Sequence, residues 1–526
     1  MELSPIELVL GLFVVAVALA YLARRIGVAY PILLVLGGLV LGFLPGLPTI
    51  ELEPDVVFLL LLPPILFGSA YSTPIRDIKA NARPIALLAV GLVLFTTAVV
   101  GLVTHALLPD MNIFAAFALG AIVAPPDAVA ATAIFRRIGA PRRIVTILEG
   151  ESLMNDATAL IAYRFAVAGV VAAVGAGFSW FDVGVSFVYV GLGGVVVGVV
   201  VGVLVTEAWQ RTSDPTLEIM VSLLAPFAAY LPAEALGLSG VLAAVVAGLI
   251  AGRRAARALS PDARLMGRGV WEVVIFAING FAFILIGLQL PSIVEHLAPR
   301  SPTELIGLGV AVSLTVIVAR IAWVFPATYL PRRLSPRIRA RDPYPPPKAV
   351  FVVSWAGMRG AVSLAAALAL PITTKLPERD LLIFLTFCVI LATLVGQGLT
   401  LPWLIRRLGV VSTAGPDTEE AHARLAAVEA ALARLTELAD EYPGHLELVE
   451  QLRSRYDHEA SHVWPHAEAP LDDAERESLD HMEIRNAVVT AEREAVIRLR
   501  DDGVIGDDVL HRIERDLDLE ALRSGV

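Results

Sequence analysis

Apolar windows of about 18–25 residues recur along this chain from Glu7 to Leu404. A helix needs roughly 20 such residues to cross the ~30 Å hydrocarbon layer of a bilayer. Inside that layer every backbone polar group needs a partner within the protein, so only helices and closed barrels can span it. The composition agrees, because 56% of the 526 residues are hydrophobic and only 17% are charged. We therefore expect an all-α protein that crosses a membrane many times.

The hydropathy pattern divides this region into thirteen predicted spans. They cover residues 7–23, 28–46, 55–71, 84–107, 113–135, 144–172, 183–208, 216–233, 238–252, 269–290, 304–330, 348–371 and 381–405. The loops on one side of this arrangement carry 21 Lys and Arg residues, whereas the loops on the other side carry three. Positively charged loops stay in the cytoplasm. The pattern thus predicts a multi-pass protein of the plasma membrane with its N-terminus outside and its C-terminus inside.

The last part of the chain has a different composition. Residues 1–410 contain 29 Lys and Arg against 23 Asp and Glu, whereas residues 411–526 contain 12 Arg against 28 Asp and Glu. This change predicts a transmembrane domain over 1–410 and an acidic cytoplasmic tail over 411–526, with helices near 421–438, 447–455, 473–501 and 507–521. The acidity argues against a nucleic-acid partner. The single cysteine, Cys388, excludes an internal disulfide or a cysteine-based zinc site.

Two predicted spans are interrupted near their middle. The fifth contains Pro125, Pro126 and Asp127, and prolines lack the amide donor that a helix interior needs. The twelfth contains the sequence Gly-Met-Arg-Gly at 357–360. If spans 1–6 and 8–13 are taken as two halves, their topologies are opposite and the two breaks occupy corresponding positions. Paired interrupted helices in inverted repeats are the best indication in a sequence of a transporter's binding site.

Oxygen-bearing side chains cluster in the sixth predicted span. Glu151 and Asn155 are i,i+4 neighbours, as are Ser152 and Asp156, so all four can face one side of a helix. A charge at the bilayer centre costs roughly 2.5–3.5 kcal/mol, and such residues generally bind or move something charged. Interhelical hydrogen bonding alone would explain Ser152 about as well, but it would not explain the whole cluster.

The broken fifth span can add further oxygen ligands to this cluster. Asp127 can approach it, and unwinding there would free the main-chain carbonyl of Pro126. Irregular backbone at membrane depth is tolerated where it lines a cavity. Carboxylate, hydroxyl and carbonyl oxygens suit a hard cation such as Na⁺, so we expect a cation site here.

Three arginines also lie inside predicted spans, namely Arg164, Arg320 and Arg359. Arginine keeps its proton, so each needs a carboxylate or backbone acceptors. The simplest arrangement pairs Arg320 with Glu151 and places Arg359 near Asp127 and the carbonyls of the broken helix.

This arrangement leaves Asp156 without a permanent cation. A proton and a metal cation then compete for its carboxylate, and such competition gives exchange when the site faces each side of the membrane in turn. Arg164 lies two turns past Asp156, where a packing or snorkelling role is favoured over a role in transport.

Several motifs resemble the signatures of the bacterial sodium/proton exchangers of the monovalent cation:proton antiporter-1 family. They are Pro125-Pro126-Asp127-Ala128-Val129-Ala130, Glu151-Ser152-Leu153-Met154-Asn155-Asp156, Gly357-Met358-Arg359-Gly360-Ala361 and Leu62-Pro63-Pro64-Ile65-Leu66-Phe67, together with Arg320. The resemblance covers nearly all of residues 1–410, and the motifs occur in the family's order.

The resemblance implies an inverted-repeat fold with crossed discontinuous helices, a homodimer, and elevator-type movement of a core domain built from spans 4–6 and 11–13. It implies an antiporter that exchanges Na⁺, or K⁺ or Li⁺, for H⁺ in pH homeostasis, with no cofactor beyond the transported ions. Asp156 is then the expected proton and cation carrier, with Asp127 and Ser152 as further ligands of Na⁺. Asn155 stands where electrogenic relatives carry a second aspartate, which indicates electroneutral exchange.

Two positions depart from the family pattern. Many members carry an acidic residue after the Leu-Phe of the third span, where this chain has Gly68. A salt bridge of the family cannot form there, which makes Glu151 more important as the partner of Arg320. The usual threonine before the fifth-span aspartate is Pro126, so its carbonyl takes the place of a hydroxyl ligand.

Three other functions fit parts of the pattern. A cation channel or uniporter would need a continuous pore, whereas one carboxylate cluster at broken helices favours alternating access. An intramembrane aspartyl protease would need Gly-x-Gly-Asp and Tyr-Asp motifs, which are absent at suitable depth, so we do not expect an enzyme. A sensor built on an exchanger scaffold would show no ion flux.

Overall fold

Helices form the regular structure of the protein throughout the part that the computed structural model describes. That part comprises residues 5–44, 57–73, 75–172, 180–297, 300–370, 378–410 and 417–463, with short pieces between 488 and 518. The chain divides into two compact units, Met1–Val411 and Ser412–Val526.

The α-helices of the first unit are numbered here in chain order. They are α1 Pro5–Ile26, α2 Tyr30–Gly42, α3 Leu62–Ser72, α4 Ile75–Ala80, α5 Ala82–Ala86, α6 Val93–Leu107, α7 Ile113–Val123, α8 Ala128–Ile138, α9 Arg142–Ala172, α10 Trp180–Arg211, α11 Pro215–Ala235, α12 Gly240–Ala258, α13 Pro261–Leu288, α14 Leu290–His296, α15 Pro302–Leu334, α16 Pro336–Arg341, α17 Pro347–Trp355, α18 Ala361–Leu368, α19 Arg379–Leu391 and α20 Gly398–Leu408. Three π-helical segments, Val57–Leu61, Leu87–Leu92 and Ala392–Gln397, continue directly into α3, α6 and α20.

The predicted all-α membrane fold is confirmed. Within the described residues, eight helical segments are long and apolar enough to cross a membrane, and Tyr30–Gly42 and Leu59–Ser72 are shorter apolar helices. Each of the thirteen predicted ranges contains a helix or an interrupted pair of helices. The number of membrane crossings stays a prediction.

Helix α13 begins eight residues before its predicted start at 269. Its first two turns contain Arg264 and Arg268, so hydropathy does not recognise them as part of a span. Local signals nevertheless favour a helix start there, because Ser260 accepts a hydrogen bond from the Ala263 amide at 3.3 Å and Pro261 occupies the first helical position.

The two predicted breaks are present, and they lie against each other. Helix α7 ends at Val123 and α8 begins at Ala128, whereas α17 ends at Trp355 and α18 begins at Ala361. The Asp127 amide donates to the Met358 carbonyl at 2.7 Å, so the two interrupted spans cross at their non-helical segments. This contact partners irregular backbone that hydrocarbon could not hydrogen-bond.

Helices of the first unit form two groups that meet at an apolar interface. Following the predicted division, we call α5–α9 and α15–α20 the core helices, and α1–α3 and α10–α14 the scaffold helices. On core helix α9, Leu153 and Ala157 belong to the same buried cluster as Leu66, Tyr230 and Val245 of scaffold helices α3, α11 and α12. Much of this contact is formed by aliphatic side chains.

The second unit contains a pair of contacting helices. They are α21 Asp417–Glu441 and α22 Leu446–Val463, joined by a 3₁₀ turn at Pro443–His445. These helices include the predicted ranges 421–438 and 447–455. The predicted range 473–501 lies mostly outside the described residues, and only short pieces of 507–521 are described.

A cluster of arginines around Asp342 joins several core helices on the side predicted to face the cytoplasm. The Asp342 carboxylate lies 2.6 Å from guanidinium nitrogens of Arg83 on α5, Arg143 on α9 and Arg332 on α15. Burial raises the pKa of Asp342, but hydrogen bonds and charges from Arg143 and Arg332 outweigh this effect, so the pKa lies below its ordinary value of 3.8. Asp342 is therefore ionised at neutral pH and links α5, α9 and α15 to the segment before α17.

We expect Asp342→Asn to lower the thermal midpoint of the purified protein at neutral pH, equivalent to about 1–3 kcal/mol, because hydrogen bonds to charged groups contribute in that range. A carboxyl whose pKa is lowered by folding stabilises the protein above its ordinary pKa, and that contribution is lost as the pH falls through the folded value. The difference between Asp342→Asn and the unmodified protein should therefore shrink below about pH 4.

Asp77→Asn is the matched control, since Asp77 pairs with Arg142 at 3.0 Å on the same surface but the Arg142 side chain is largely exposed. Thermal unfolding followed by intrinsic fluorescence would give both values. Equal midpoints for the Asp342 and Asp77 variants would contradict a linking role for Asp342.

Candidate functional site

Asp127 lies where the two interrupted spans cross. Its carboxylate caps helix α8, because Oδ1 accepts a hydrogen bond from the Val129 amide at 2.8 Å. A Cβ atom placed on Gly360 would overlap the same carboxylate. Glycine at 360 is thus required by the close approach of the two breaks, and Asp127 is held by backbone on both sides.

Arg359 is fully buried at the same crossing and binds carbonyl groups. Its Nε donates to the Val123 carbonyl at 2.9 Å, its Nη2 to the Ala124 carbonyl at 3.3 Å, and its Nη1 to the Gly357 carbonyl. The first two acceptors belong to the C-terminal end of α7, where unpaired carbonyls carry partial negative charge. The expected contact with broken-helix carbonyls is present, but Arg359 forms no ion pair with Asp127 among the described residues.

Arg320 and Glu151 form a bidentate ion pair in the interior. The two N···O distances are 2.5 Å and 2.8 Å, and each side chain is only 1% exposed. Arg320 also donates to the Val353 carbonyl at 3.3 Å, so the pair joins α15, α9 and α17. A Cβ on Gly357 would overlap the Arg320 side chain, which explains why the second break needs glycine here too.

Gly68, the position of the missing family carboxylate, packs against scaffold residues. A Cβ there would lie 2.6 Å from Cδ1 of Ile275 and 3.1 Å from the ring of Trp271. A larger side chain at this position would require the side chains of Ile275 and Trp271 to shift. Glu151 is accordingly the carboxylate that pairs with Arg320 in this chain.

Helix α9 contacts both sides of the first break. Asn155 Nδ2 donates to the Pro126 carbonyl at 2.8 Å, and Ser152 Oγ accepts from the Ala128 amide at 3.2 Å. The Pro126 carbonyl, expected to be a free ligand, thus already accepts one hydrogen bond and has one lone pair left. The Asn155 Oδ1 atom is buried without a hydrogen-bond donor in the described part of the chain.

Asp156 is the buried carboxylate without a partner. It is 7% exposed, and no described residue donates a hydrogen bond to its carboxylate or forms an ion pair with it. Arg164 does not approach it, because the Arg164 guanidinium lies 2.6 Å from Glu234 on α11. The structure therefore places two oxygen acceptors without donors, from Asp156 and Asn155, on adjacent residues of α9. Either oxygen can be a ligand for a cation, and the carboxylate of Asp156 can also bind a proton.

The contact between Thr393 and Arg359 at the crossing could not be predicted from the sequence. Thr393 Oγ1 accepts a hydrogen bond from the Arg359 amide at 3.1 Å and donates to the Val389 carbonyl at 2.7 Å. A single threonine in an apolar helix usually bonds only to its own preceding turn. Its role at the crossing becomes visible only once the π-helical segment Ala392–Gln397 has positioned it.

A cavity of about 490 Å³ lies between the scaffold and core helices near this site. Its lining includes Tyr30 at the start of α2, Ala133 and Arg137 on α8, and Arg406 on α20. Ala133 lies six residues after Asp127, or about 9 Å along the helix. The cavity lies along the half of α8 that leads from Asp127 toward the predicted cytoplasmic side.

Comparisons with known proteins agree on one family. Residues 12–407 match the family model described as the transmembrane sodium/hydrogen exchanger. An uncharacterised Na⁺/H⁺ exchanger of Mycobacterium tuberculosis is 36% identical over 98% of this chain and 96% of its own length. A sodium, potassium, lithium and rubidium/H⁺ antiporter of Bacillus subtilis is 34% identical over 76% of this chain and 61% of its own length.

A solved structure has the same architecture. The sodium proton antiporter MjNhaP1 from Methanocaldococcus jannaschii matches with a TM-score of 0.61 at 20% sequence identity, over 77% of this chain and 98% of that chain. This likeness is evidence for the fold alone.

We expect Glu151→Gln to destabilise the folded protein by about 3–5 kcal/mol, because it leaves the Arg320 charge buried without its partner. Glu149→Gln is the control: Glu149 lies on the same helix, but its partner Arg136 is 73% exposed. The thermal midpoint and the monodisperse yield in detergent are the measurements.

The double variant Glu151→Gln/Arg320→Gln separates the charge from the geometry. Because it leaves no unpaired charge, it should recover part of the stability that Glu151→Gln alone loses. A double variant less stable than the single variant would contradict this account of the pair.

Proposed function

The chain belongs to the sodium/hydrogen exchanger family, and from this premise we propose that it is a secondary active antiporter of the plasma membrane. It exchanges a monovalent cation, with Na⁺ as the first candidate, for H⁺. The observation that carries the proposal is that neither the Asp156 carboxylate nor Oδ1 of its neighbour Asn155 has a hydrogen-bond donor among the described residues.

The distribution of charge supports Asp156 as the exchanging group. Glu151 is neutralised by Arg320 at 2.5 Å, and Asp127 is engaged with the start of α8. A permanent bond to an arginine would prevent a carboxylate from releasing and rebinding ions. Asp156 has no such bond, so a proton and a cation can alternate on it. Asp127, Ser152 and the Pro126 carbonyl lie around the same break and can complete the ligand set.

The same charges favour an electroneutral cycle. The Glu151–Arg320 pair is neutral overall, and the positive Arg359 and negative Asp127 share one helix crossing. Asn155 adds no charge. A core that carries one carboxylate with either one proton or one monovalent cation has the same net charge in both directions. Membrane potential then has little charge to act on.

Alternating access is the proposed mechanism. The core helices meet the scaffold helices partly through the apolar cluster that contains Leu153 and Ala157, and the aliphatic side chains of these two residues can slide past their neighbours. The cavity beside Tyr30 supports an inward-facing state, because it lies between the two groups on the predicted cytoplasmic side. Elevator movement of the core against a homodimeric scaffold completes the proposal, as the family resemblance implies.

We expect reconstituted protein to collapse an imposed pH gradient when Na⁺ is added, and Asp156→Asn to reduce the rate to that of protein-free vesicles. The reason is that the amide can neither release a proton nor neutralise a cation. Asp110→Asn is the control, since Asp110 is an exposed loop carboxylate. Testing K⁺, Li⁺ and Rb⁺ in the same vesicles would rank the cations. Undiminished exchange in Asp156→Asn would refute the assigned carrier.

The same vesicles with an ionophore-clamped membrane potential decide the stoichiometry. An unchanged rate at either sign of the potential supports one-for-one exchange. An exchange rate that changes with the membrane potential would contradict electroneutral exchange. Unitary currents in planar bilayers would show that the protein is a channel and not an antiporter.

A further inference from the structure

A second cavity, of about 530 Å³, lies at the predicted cytoplasmic end of the core helices. Its volume falls within the range of about 300–1,000 Å³ that is usual for ligand sites. Apolar side chains form part of its wall, among them Leu87, Ile144, Ile147 and Val324. It shares no lining residue with the polar site around Asp156, so the proposed exchange does not account for it.

The rest of the lining is strongly cationic. Arg83, Arg143, Arg332 and Lys348 line the cavity, and no carboxylate does. Asp342 bonds to the three arginines and compensates for one of the four charges. The Nε atom of Arg83 is buried and has no acceptor in the described part of the chain. The cavity thus combines an apolar wall with uncompensated positive charge and an unused donor.

The cavity also adjoins surface suited to a bilayer. Tyr344 lines it and is 46% exposed, and the last turns of α15 expose Leu330 and Leu334 beside the buried Arg332. Exposed leucines next to buried or half-buried arginines match the boundary between acyl chains and headgroups. Basic pockets between membrane helices on the cytoplasmic side are suited to anionic headgroups.

We propose that this cavity binds an anionic phospholipid, with the phosphate on Arg83, Arg143 and Lys348 and an acyl chain against Leu87 and Ile147. Arginine binds phosphate oxygens through paired N–H donors. A free phosphate would leave the apolar wall unused, and a zwitterionic lipid would bring no net charge. Because the lining comes from α9, α15, α17 and the segment that begins α5, the lipid would hold the core helices together.

The test uses the full chain, delipidated in detergent, with short-chain phosphatidylglycerol, short-chain phosphatidylcholine or inorganic phosphate added. We expect phosphatidylglycerol to raise the thermal midpoint more than phosphatidylcholine does, and native mass spectrometry to retain one anionic lipid per chain. Lys348→Gln should weaken this binding several-fold, and Ile147→Trp, which fills the apolar wall, should do the same.

Arg337→Gln is the matched control, because Arg337 lies on the same surface but outside the cavity lining. Its binding should equal that of the unmodified protein. Equal effects of the two lipids, a full effect of inorganic phosphate alone, or equal weakening in Arg337→Gln would each overturn the proposal.

An ion pair between a core helix and a scaffold helix supports a second inference, which rests on the proposed function. Arg164 on core helix α9 and Glu234 on scaffold helix α11 form an ion pair at 2.6 Å. Glu234 is oriented by its other oxygen, which accepts a hydrogen bond from the Gly240 amide at 3.1 Å at the start of α12. The scaffold thus presents a fixed carboxylate to an arginine of the core.

The position of this pair complements that of the cavity beside Tyr30. Arg164 lies eight residues beyond Asp156, or about 12 Å along α9 toward the predicted external side. Both side chains are partly exposed, at 46% and 29%, so breaking this contact does not leave two fully buried charges, unlike breaking the Arg320–Glu151 pair. We infer that Arg164 and Glu234 form an external latch, which closes the outer side while the cytoplasmic side is open and separates when the core moves.

A reversible cross-link tests the latch. In a Cys388→Ser background, Arg164→Cys/Glu234→Cys is treated with a short bifunctional thiol reagent that dithiothreitol cleaves. We expect cross-linking to stop exchange in proteoliposomes and dithiothreitol to restore it. The control pair Glu234→Cys/Leu236→Cys lies wholly on the scaffold, and its cross-link should leave the rate unchanged.

The outcomes separate the latch from the antiporter proposal. If neither the unmodified protein nor the untreated double-cysteine protein exchanges ions, the proposed function fails. If both exchange ions and complete cross-linking leaves the rate unchanged, the latch is wrong while the antiporter stands.

Discussion

The bidentate bond between Arg320 and Glu151 is the interaction on which the rest of the site depends. Two charges that are each 1% exposed can remain inside an apolar bundle only because each neutralises the other. The bond also joins α9 to α15 and α17, and so it fixes the helix that carries Asn155 and Asp156. Because the bond occupies Glu151, the exchange that we propose assigns ion binding to Asp156, on the same helix.

The crossing of the two broken spans provides partners for backbone groups that the helix breaks leave without intrahelical hydrogen bonds. Interrupting a helix in hydrocarbon leaves carbonyls at one end and amides at the other without partners. In this chain Arg359 occupies the carbonyl end of α7, and Asp127 occupies the amide end of α8. The two ionisable side chains therefore compensate the partial charges of the two helix ends. Their positions follow from the direction of the helix dipoles.

The sequence predicts those contacts for which a buried charge has only one suitable partner. A buried arginine needs an acceptor, and few carboxylates lie at the same depth, so the pairing of Arg320 with Glu151 could be expected. The sequence does not decide the partner of Arg359, because the carbonyls at the end of α7 and the Asp127 carboxylate could each accept its hydrogen bonds. The end of α7 faces Arg359 only after the spans have crossed, and hydropathy does not encode that orientation.

The sequence does not predict which partly exposed side chains form ion pairs with one another. Asp342 meets Arg83 and Arg143 across separations of 259 and 199 residues, in loops that contain many other arginines. The sequence separation of these residues does not indicate which arginines pair with Asp342. Arg164 was expected to pack or reach toward the membrane surface, and its bond to Glu234 depends on the turn between α11 and α12.

The contrast between the ion pairs of Arg320 and Arg164 distinguishes a structural contact from one that the proposed movement can break. Breaking the Arg320 pair would expose two charges to an apolar interior, so its partners must travel together as one body. The Arg164 pair is partly exposed, at 46% and 29%, so its separation does not leave two fully buried charges. The bond within the core is therefore the permanent one, and the bond across its boundary is the one that a moving core can release. Asp156 lies between Glu151 and Arg164 on α9, so in the proposed mechanism it would move together with the first pair and past the second.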